Sequence, residues 1–188
     1  MDLEDKIKLE QRMENALEKS AFPEFKFALR EDLKDRKEFL PTRVEDGSSG
    51  WDVFSAPLDH KDIVLQPGDY ALIELGFRAL CPDGWYYQLH PRSSTFAKKK
   101  CQSLIGIVDL SWEGFTKMAV KYCPPDNVKD PLVIKFGEAI GQIIPTRKET
   151  MNVVEVSNDE LDALFKARDG KRKDGGFGSS DQGFIKYG

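Results

Sequence analysis

Hydrophobic and polar positions change rhythm three times along the 188 residues of the chain. In residues 1–20, Leu3, Ile7, Met13, Ala16 and Leu17 make a thin apolar stripe among Glu and Lys. That stripe predicts a surface helix, ended by Pro23. One short apolar run follows (Phe25, Phe27, Leu29), then a charged connection up to Gly50. From Trp51 to Thr146 short β-prone runs alternate with turn signals. Gln66-Pro-Gly-Asp69 and Pro82-Asp-Gly84 separate the earlier runs. The later ones are Leu104–Val108, Phe115–Cys123, Leu132–Phe136 and Ile140–Ile144, set apart by Gly, Pro or Asn. This spacing predicts an all-β barrel or sandwich. Thr150–Val156 reads as one more strand. Ser157-Asn-Asp-Glu160 is a capping box that opens a helix over Leu161–Ala167. Glycines at 170, 175, 176, 178, 183 and 188 then deny the C-terminal stretch any regular element of its own. The expected organisation is a helical extension over 1–22, a β domain over 23–169 and a flexible arm over 170–188.

Composition narrows the function classes. Hydrophobic residues make up 40% and charged residues 32%, the balance of an ordinary soluble globular protein. A net charge of −4 gives no global basic field for nucleic acid or membrane, although a small anion needs only a local cluster of donors. The three cysteines, Cys81, Cys101 and Cys123, are odd in number and irregular in spacing, so a reducing compartment is expected rather than a disulfide framework. Neither they nor His60 and His90 stand at a zinc-ligand spacing. The charged N-terminus lacks the apolar core of a signal peptide, and no apolar run reaches the ~18 residues of a membrane span. The expected location is cytoplasmic, or nuclear in a eukaryotic source.

Five segments carry candidate chemistry. SGWDVFSA (49–56) holds Asp52 between aromatics. PRSSTFAKK (91–99) puts Arg92, Ser93 and Ser94 at the end of a predicted strand. A guanidinium fork and hydroxyls there suit phosphate oxygens, or else a surface ion pair in a solvated loop. GIVDLSWEG (106–114) sets Asp109 just after an apolar strand with Trp112 three residues on. A carboxylate so placed can act as general base toward water, or simply cap the next backbone N–H of a turn. FGEAIGQII (136–144) buries an amide, Gln142, which needs hydrogen-bond partners from backbone, water or ligand. RKDGGFGSSD (172–181) is the most specific. Arg172 is a second fork, glycines allow close backbone approach, Phe177 can stack on a base, and Ser179 and Ser180 add donors.

In order, these five segments resemble the five motifs of the trimeric dUTPase family, over about Phe25 to Asp181. The third and fifth are the most specific: Arg92 stands seventeen residues before Asp109, and Arg172 five before Phe177. The resemblance implies a jelly-roll-like β-barrel (a β-clip), a homotrimer, and active sites shared between subunits. It implies hydrolysis of dUTP to dUMP and pyrophosphate, which keeps uracil out of DNA and supplies dUMP for dTMP synthesis. By that likeness the backbone over Ser103–Ile107, including Gly106, reads the uracil edge beside Val108. Such hydrogen-bond readout rejects a mismatched base far better than an apolar pocket does. Trp112 takes the place of the family's usual Tyr against the deoxyribose, where its ring crowds a 2′-hydroxyl. Arg92, Ser93, Ser94 and Gln142 hold phosphates, and Asp52 supports them. Lys117 lies beside the nucleotide, where a small or apolar residue is usual. Asp109 activates water for in-line attack on the α-phosphorus. Arg172 grips the γ-phosphate, while Phe177, Gly178, Ser179 and Ser180 close over the substrate. Mg2+ is held through substrate phosphates, with no direct protein ligand.

Two other readings compete. A dCTP deaminase shares the fold and needs a glutamate proton shuttle on the strand after the third motif, but the matching position is Ala119. A non-catalytic nucleotide-binding regulator is the other; residues 1–45 are the surface it would offer a protein partner.

Overall fold

The computed structural model describes residues 22–168. The expected helix over 1–20, and Arg172, Phe177, Gly178, Ser179 and Ser180 of the arm, lie outside them. Eleven strands, two α-helices and two single-turn 3-10 helices (Glu31–Leu33 and Lys37–Phe39) are described. The strands are β1 (Lys26–Leu29), β2 (Trp51–Phe54), β3 (Ile63–Leu65), β4 (Tyr70–Glu74), β5 (Phe77–Leu80), β6 (Trp85–Pro91), β7 (Cys101–Ser103), β8 (Gly106–Val108), β9 (Lys117–Tyr122), β10 (Leu132–Ile134) and β11 (Ala139–Arg147). The α-helices are α1 (Ser93–Ala97) and α2 (Asn158–Ala167). All ladders are antiparallel: a four-stranded sheet β2-β11-β6-β8, a three-stranded sheet β4-β9-β7, and the ribbons β1-β5 and β3-β10. The chain passes repeatedly from one sheet to the other, the jelly-roll-like pattern expected.

The core lies between the two larger sheets, and the period-2 alternation of the sequence selects it. On β6, Tyr87 and Leu89 are buried; on β9, Met118, Val120 and Tyr122; on β11, Ile140 and Ile143. Each such side chain contributes about 1.5–3 kcal/mol by leaving water. The Tyr87 hydroxyl is satisfied by Thr116 Oγ1 at 2.7 Å, and burial pushes its phenol up to about 12. The turns form where the sequence marks them. Asp69 N–H donates to the Gln66 carbonyl at 2.9 Å, and Trp85 N–H to the Pro82 carbonyl at 3.1 Å. Gly141 is required by close approach: a Cβ there would lie 2.6 Å from Met118 Sδ and 3.1 Å from the His90 carbonyl oxygen. Its absence lets β11 lie flat against β6.

Three expectations change. The run Leu104–Val108 is not one strand. Leu104 and Ile105 are the crossing between sheets, 69% and 54% exposed, so β7 pairs with β9 and β8 with β6. Residues after Arg92 form a short helix, α1, rather than a plain loop. Thr150–Val156 makes no strand among the described residues, because a strand needs a partner edge.

One compact unit ends at Glu149 and a second begins at Thr150. In the second, Met151, Val153 and Val154 are 86%, 85% and 74% exposed. The capping box then opens α2 as expected, with Ser157 Oγ accepting from Glu160 N–H at 3.2 Å.

Candidate functional site

The outward face of the four-stranded sheet carries two polar groups, one at each end. At the first end Gln142 on β11 stands in register between Asp52 on β2 and His90 on β6. β6 stops at Pro91, and Arg92 takes the N-cap position of α1 with an extended backbone. Its guanidinium Nε lies 3.1 Å from Asp52 Oδ1, and Nη1 donates to the Ala139 carbonyl at 3.4 Å. Thr95 anchors the same turn from below, donating from Oγ1 to the Ile140 carbonyl at 2.6 Å. Lys99 adds an ion pair to Glu138. Gln142 Nε2 reaches the Pro91 carbonyl only at 3.5 Å, so the amide keeps capacity for another partner. Gly50 makes room for it: a Cβ there would overlap Gln142 Oε1. Ser93 is exposed and Ser94 half-buried beside Arg92. The structure thus brings Asp52, Arg92, Ser93, Ser94 and Gln142 to one place.

Asp109 is at the other end. It follows β8, and its carbonyl accepts from Trp112 N–H at 3.0 Å, closing a turn. The side chain is exposed. It lines a cleft of 330 Å³ with Trp85, Tyr86, Ile107, Leu110, Ser111 and Lys148. Trp112 lies on the opposite side of this turn. It is 54% exposed and lies over Gly114, where a Cβ would come within 2.9 Å of its Cε2. It lines a second cleft, of 370 Å³, with Lys26, Arg78 and Leu80 among others. Trp85, Tyr86 and Lys148 belong to no motif. Only strand register brings them to Asp109, so no sequence signal marked them.

Between the two ends runs a line of side chains on β6. Gln88 Nε2 donates to Tyr86 Oη at 3.2 Å, and Gln88 Oε1 lies 2.9 Å from His90 Nε2. That line also measures the gap. Val108 pairs with Tyr87, which sets Asp109 opposite Tyr86, six residues before Arg92. At about 3.3 Å per residue the two are about 20 Å apart. One phosphate group cannot touch both Asp109 and Arg92 of one chain.

The remaining site residues distribute as follows. Ser103 is tied to β9, its Oγ donating to the Ala119 carbonyl at 2.8 Å, with Leu104 N–H on the same carbonyl at 3.2 Å. Gly106, Ile107 and Val108 form β8 itself. Lys117 begins β9 and pairs with Glu74 at 2.8 Å, an anchor no sequence pattern indicated. Thiol chemistry is disfavoured by the surroundings of two cysteines: burial lifts Cys101 to about 11 and raises Cys81 as well. Among the described residues no three or more His, Cys, Asp or Glu side chains gather as a metal cluster.

Comparison with known proteins meets this geometry from the other side. The family model described as dUTPase matches residues 37–181. The deoxyuridine 5′-triphosphate nucleotidohydrolase of Mycobacterium marinum is 35% identical over 144 residues, 75% of this chain and 86% of that one. Its namesake from Mycolicibacterium vanbaalenii is 34% identical over 148 residues, 78% and 90% of the two chains. Among solved structures, a mutant dUTPase of Staphylococcus bacteriophage 80alpha with dUpNHpp superposes with a TM-score of 0.64 at 20% identity. It covers 84% of this chain and 98% of its own. The Streptococcus mutans dUTPase gives a TM-score of 0.58 at 22% identity, covering 68% and 98%. Sequence motifs, sheet topology and both kinds of likeness agree: the chain belongs to the dUTPase family.

Proposed function

We propose that this chain hydrolyses dUTP to dUMP and pyrophosphate in a site that one copy cannot complete. Family membership supports the reaction. The observation that carries the rest is the distance of about 20 Å between Asp109 and the cluster around Arg92. Asp109 of one chain then works with Arg92, Ser93, Ser94 and Gln142 of a second. A third chain's arm supplies Arg172 and Phe177, making a homotrimer. The apolar stretch at Met151, Val153 and Val154, exposed and outside any strand among the described residues, supports this assembly, since a second copy can offer it a strand edge.

In such a site each group has one task. Backbone groups over Ser103–Ile107 pair with the uracil edge. Arg92, already oriented by Asp52, grips phosphate oxygens as a fork, and the free capacity of the Gln142 amide orders water or phosphate. Asp109 takes a proton from the attacking water, and the pyrophosphate leaves in line. The cleft at Asp109 contains a single carboxylate, a donor set that fits Mg2+ held on the substrate's phosphates and water rather than in a protein cage. When bound there, Mg2+ neutralises phosphate charge.

Deamination of dCTP is not favoured. Ala119 offers a backbone carbonyl already occupied by Ser103 and Leu104, and no side-chain acid. Pyrophosphate release measured against dUTP, UTP, dCTP and dTTP, with a native mass, tests the reading. Turnover is expected with dUTP, far less with UTP, on a particle of three chains. Ammonia released from dCTP, or dUTP bound without pyrophosphate release, would contradict it.

A further inference from the structure

We propose that Lys148 is a phosphate-binding residue of this site, supplying the positive charge opposite Asp109. The proposal rests on the reading of Asp109 as the base. It starts from the lining of the Asp109 cleft, which holds one anion and one cation: Trp85, Tyr86, Ile107, Leu110 and Ser111 are neutral, Asp109 is negative and Lys148 positive. Without Lys148 the cleft would repel a triphosphate from the carboxylate meant to act on it.

Register gives the reach. Tyr86 on β6 pairs with Thr146 on β11, and Asp109 prolongs β8 on the other side of Tyr86. Lys148 is two residues beyond Thr146, so strand alternation returns it to the same face. Its N–H donates to the Gly84 carbonyl at 2.8 Å, which keeps the backbone at the level of the sheet past the end of β11. Two strand spacings of about 4.8 Å and two residues of rise put the Asp109 and Lys148 Cα atoms about 12 Å apart. Both side chains rise from the same face, a lysine reaching about 6 Å and an aspartate about 2.5 Å, so a phosphate group standing over Tyr86 between them meets the ammonium while its attacking water meets the carboxylate.

Three other cations near the motifs are engaged. Arg92 pairs with Asp52, Lys99 with Glu138 and Lys117 with Glu74, whereas Lys148 makes no ion pair among the described residues. Attack on the α-phosphorus places negative charge on its non-bridging oxygens, beside Asp109. On Asp109's own chain, Lys148 is the cation in that cleft.

The test uses the full-length protein with Lys148→Met and Lys148→Arg. K148M is expected to lower kcat/KM for dUTP about 30-fold. It should weaken competitive inhibition by dUMP about tenfold and leave inhibition by deoxyuridine, which has no phosphate, unchanged. K148R should restore most of both losses. Turnover of K148M within twofold of the parent overturns the proposal. So does equal weakening of dUMP and deoxyuridine, the mark of a structural role. Asp109→Asn separates the two readings: an active D109N overturns the site itself, whereas an inactive D109N beside a fully active K148M removes Lys148 alone.

Discussion

Asp109→Asn lowers turnover of dUTP by about 10²–10⁴-fold while dUTP binding stays within a few-fold of the parent protein. The asparagine amide is nearly isosteric with the carboxylate, so the cleft keeps its shape, but it cannot accept a proton. The backbone at this position is held by its own carbonyl, which receives Trp112 N–H, and that bond does not depend on the side chain. Folding should be untouched because the carboxylate is exposed. Single-turnover pyrophosphate release together with equilibrium binding of a non-hydrolysable dUTP analogue checks this. If turnover stays within a few-fold, Asp109 is not the base.

Arg92→Met has an effect of a different kind. It removes the phosphate fork and leaves Asp52, whose side chain is only 15% exposed, without its guanidinium. The first loss should lower kcat/KM by about 100-fold, in proportion to a charge-assisted contact made most strongly in the transition state. The second costs about 1–2 kcal/mol of stability, since an Arg side chain 35% exposed is partly screened by solvent. Arg92→Lys recovers little of the activity, because a point charge cannot bridge Asp52 and a phosphate in one plane. Kinetics and a thermal unfolding midpoint measured on the same samples separate the two losses.

Local chemistry made much of the fold legible. Gln66-Pro-Gly-Asp69 and Pro82-Asp-Gly84 place turns wherever they occur, and the capping box of α2 is a short-range signal. The alternation on β6 and β9 marks their inner faces without any knowledge of the partner strands. Other features depend on pairing between distant segments and leave no such trace. Leu104 and Ile105 are as apolar as strand residues, yet they bridge two sheets. Thr150–Val156 is as β-prone as β3, yet joins no strand edge among the described residues. The site divides in the same way. Asp109, Arg92 and Gln142 stand in recognisable motifs, and Asp52 pairs with Arg92. Lys148, Tyr86 and the Lys117–Glu74 pair became visible only when β11, β6 and β8 took their register, β4 and β9 theirs. Trp112 was placed against the sugar by likeness alone. Its cleft is separated from that of Asp109 by the turn that carries both residues.

The central claim is that Asp109 and Arg92 serve the same reaction from different chains. Mixing D109N chains with R92M chains, each inactive alone, tests it when the mixture is allowed to reassemble at equal concentrations. A site is whole only if its Asp109 comes from an R92M chain and its Arg92 from a D109N chain. Random assembly therefore restores about a quarter of the sites. Pyrophosphate release at about a quarter of the parent rate per chain is the expected result. Activity in the reassembled mixture no higher than that of the separate variants would contradict it.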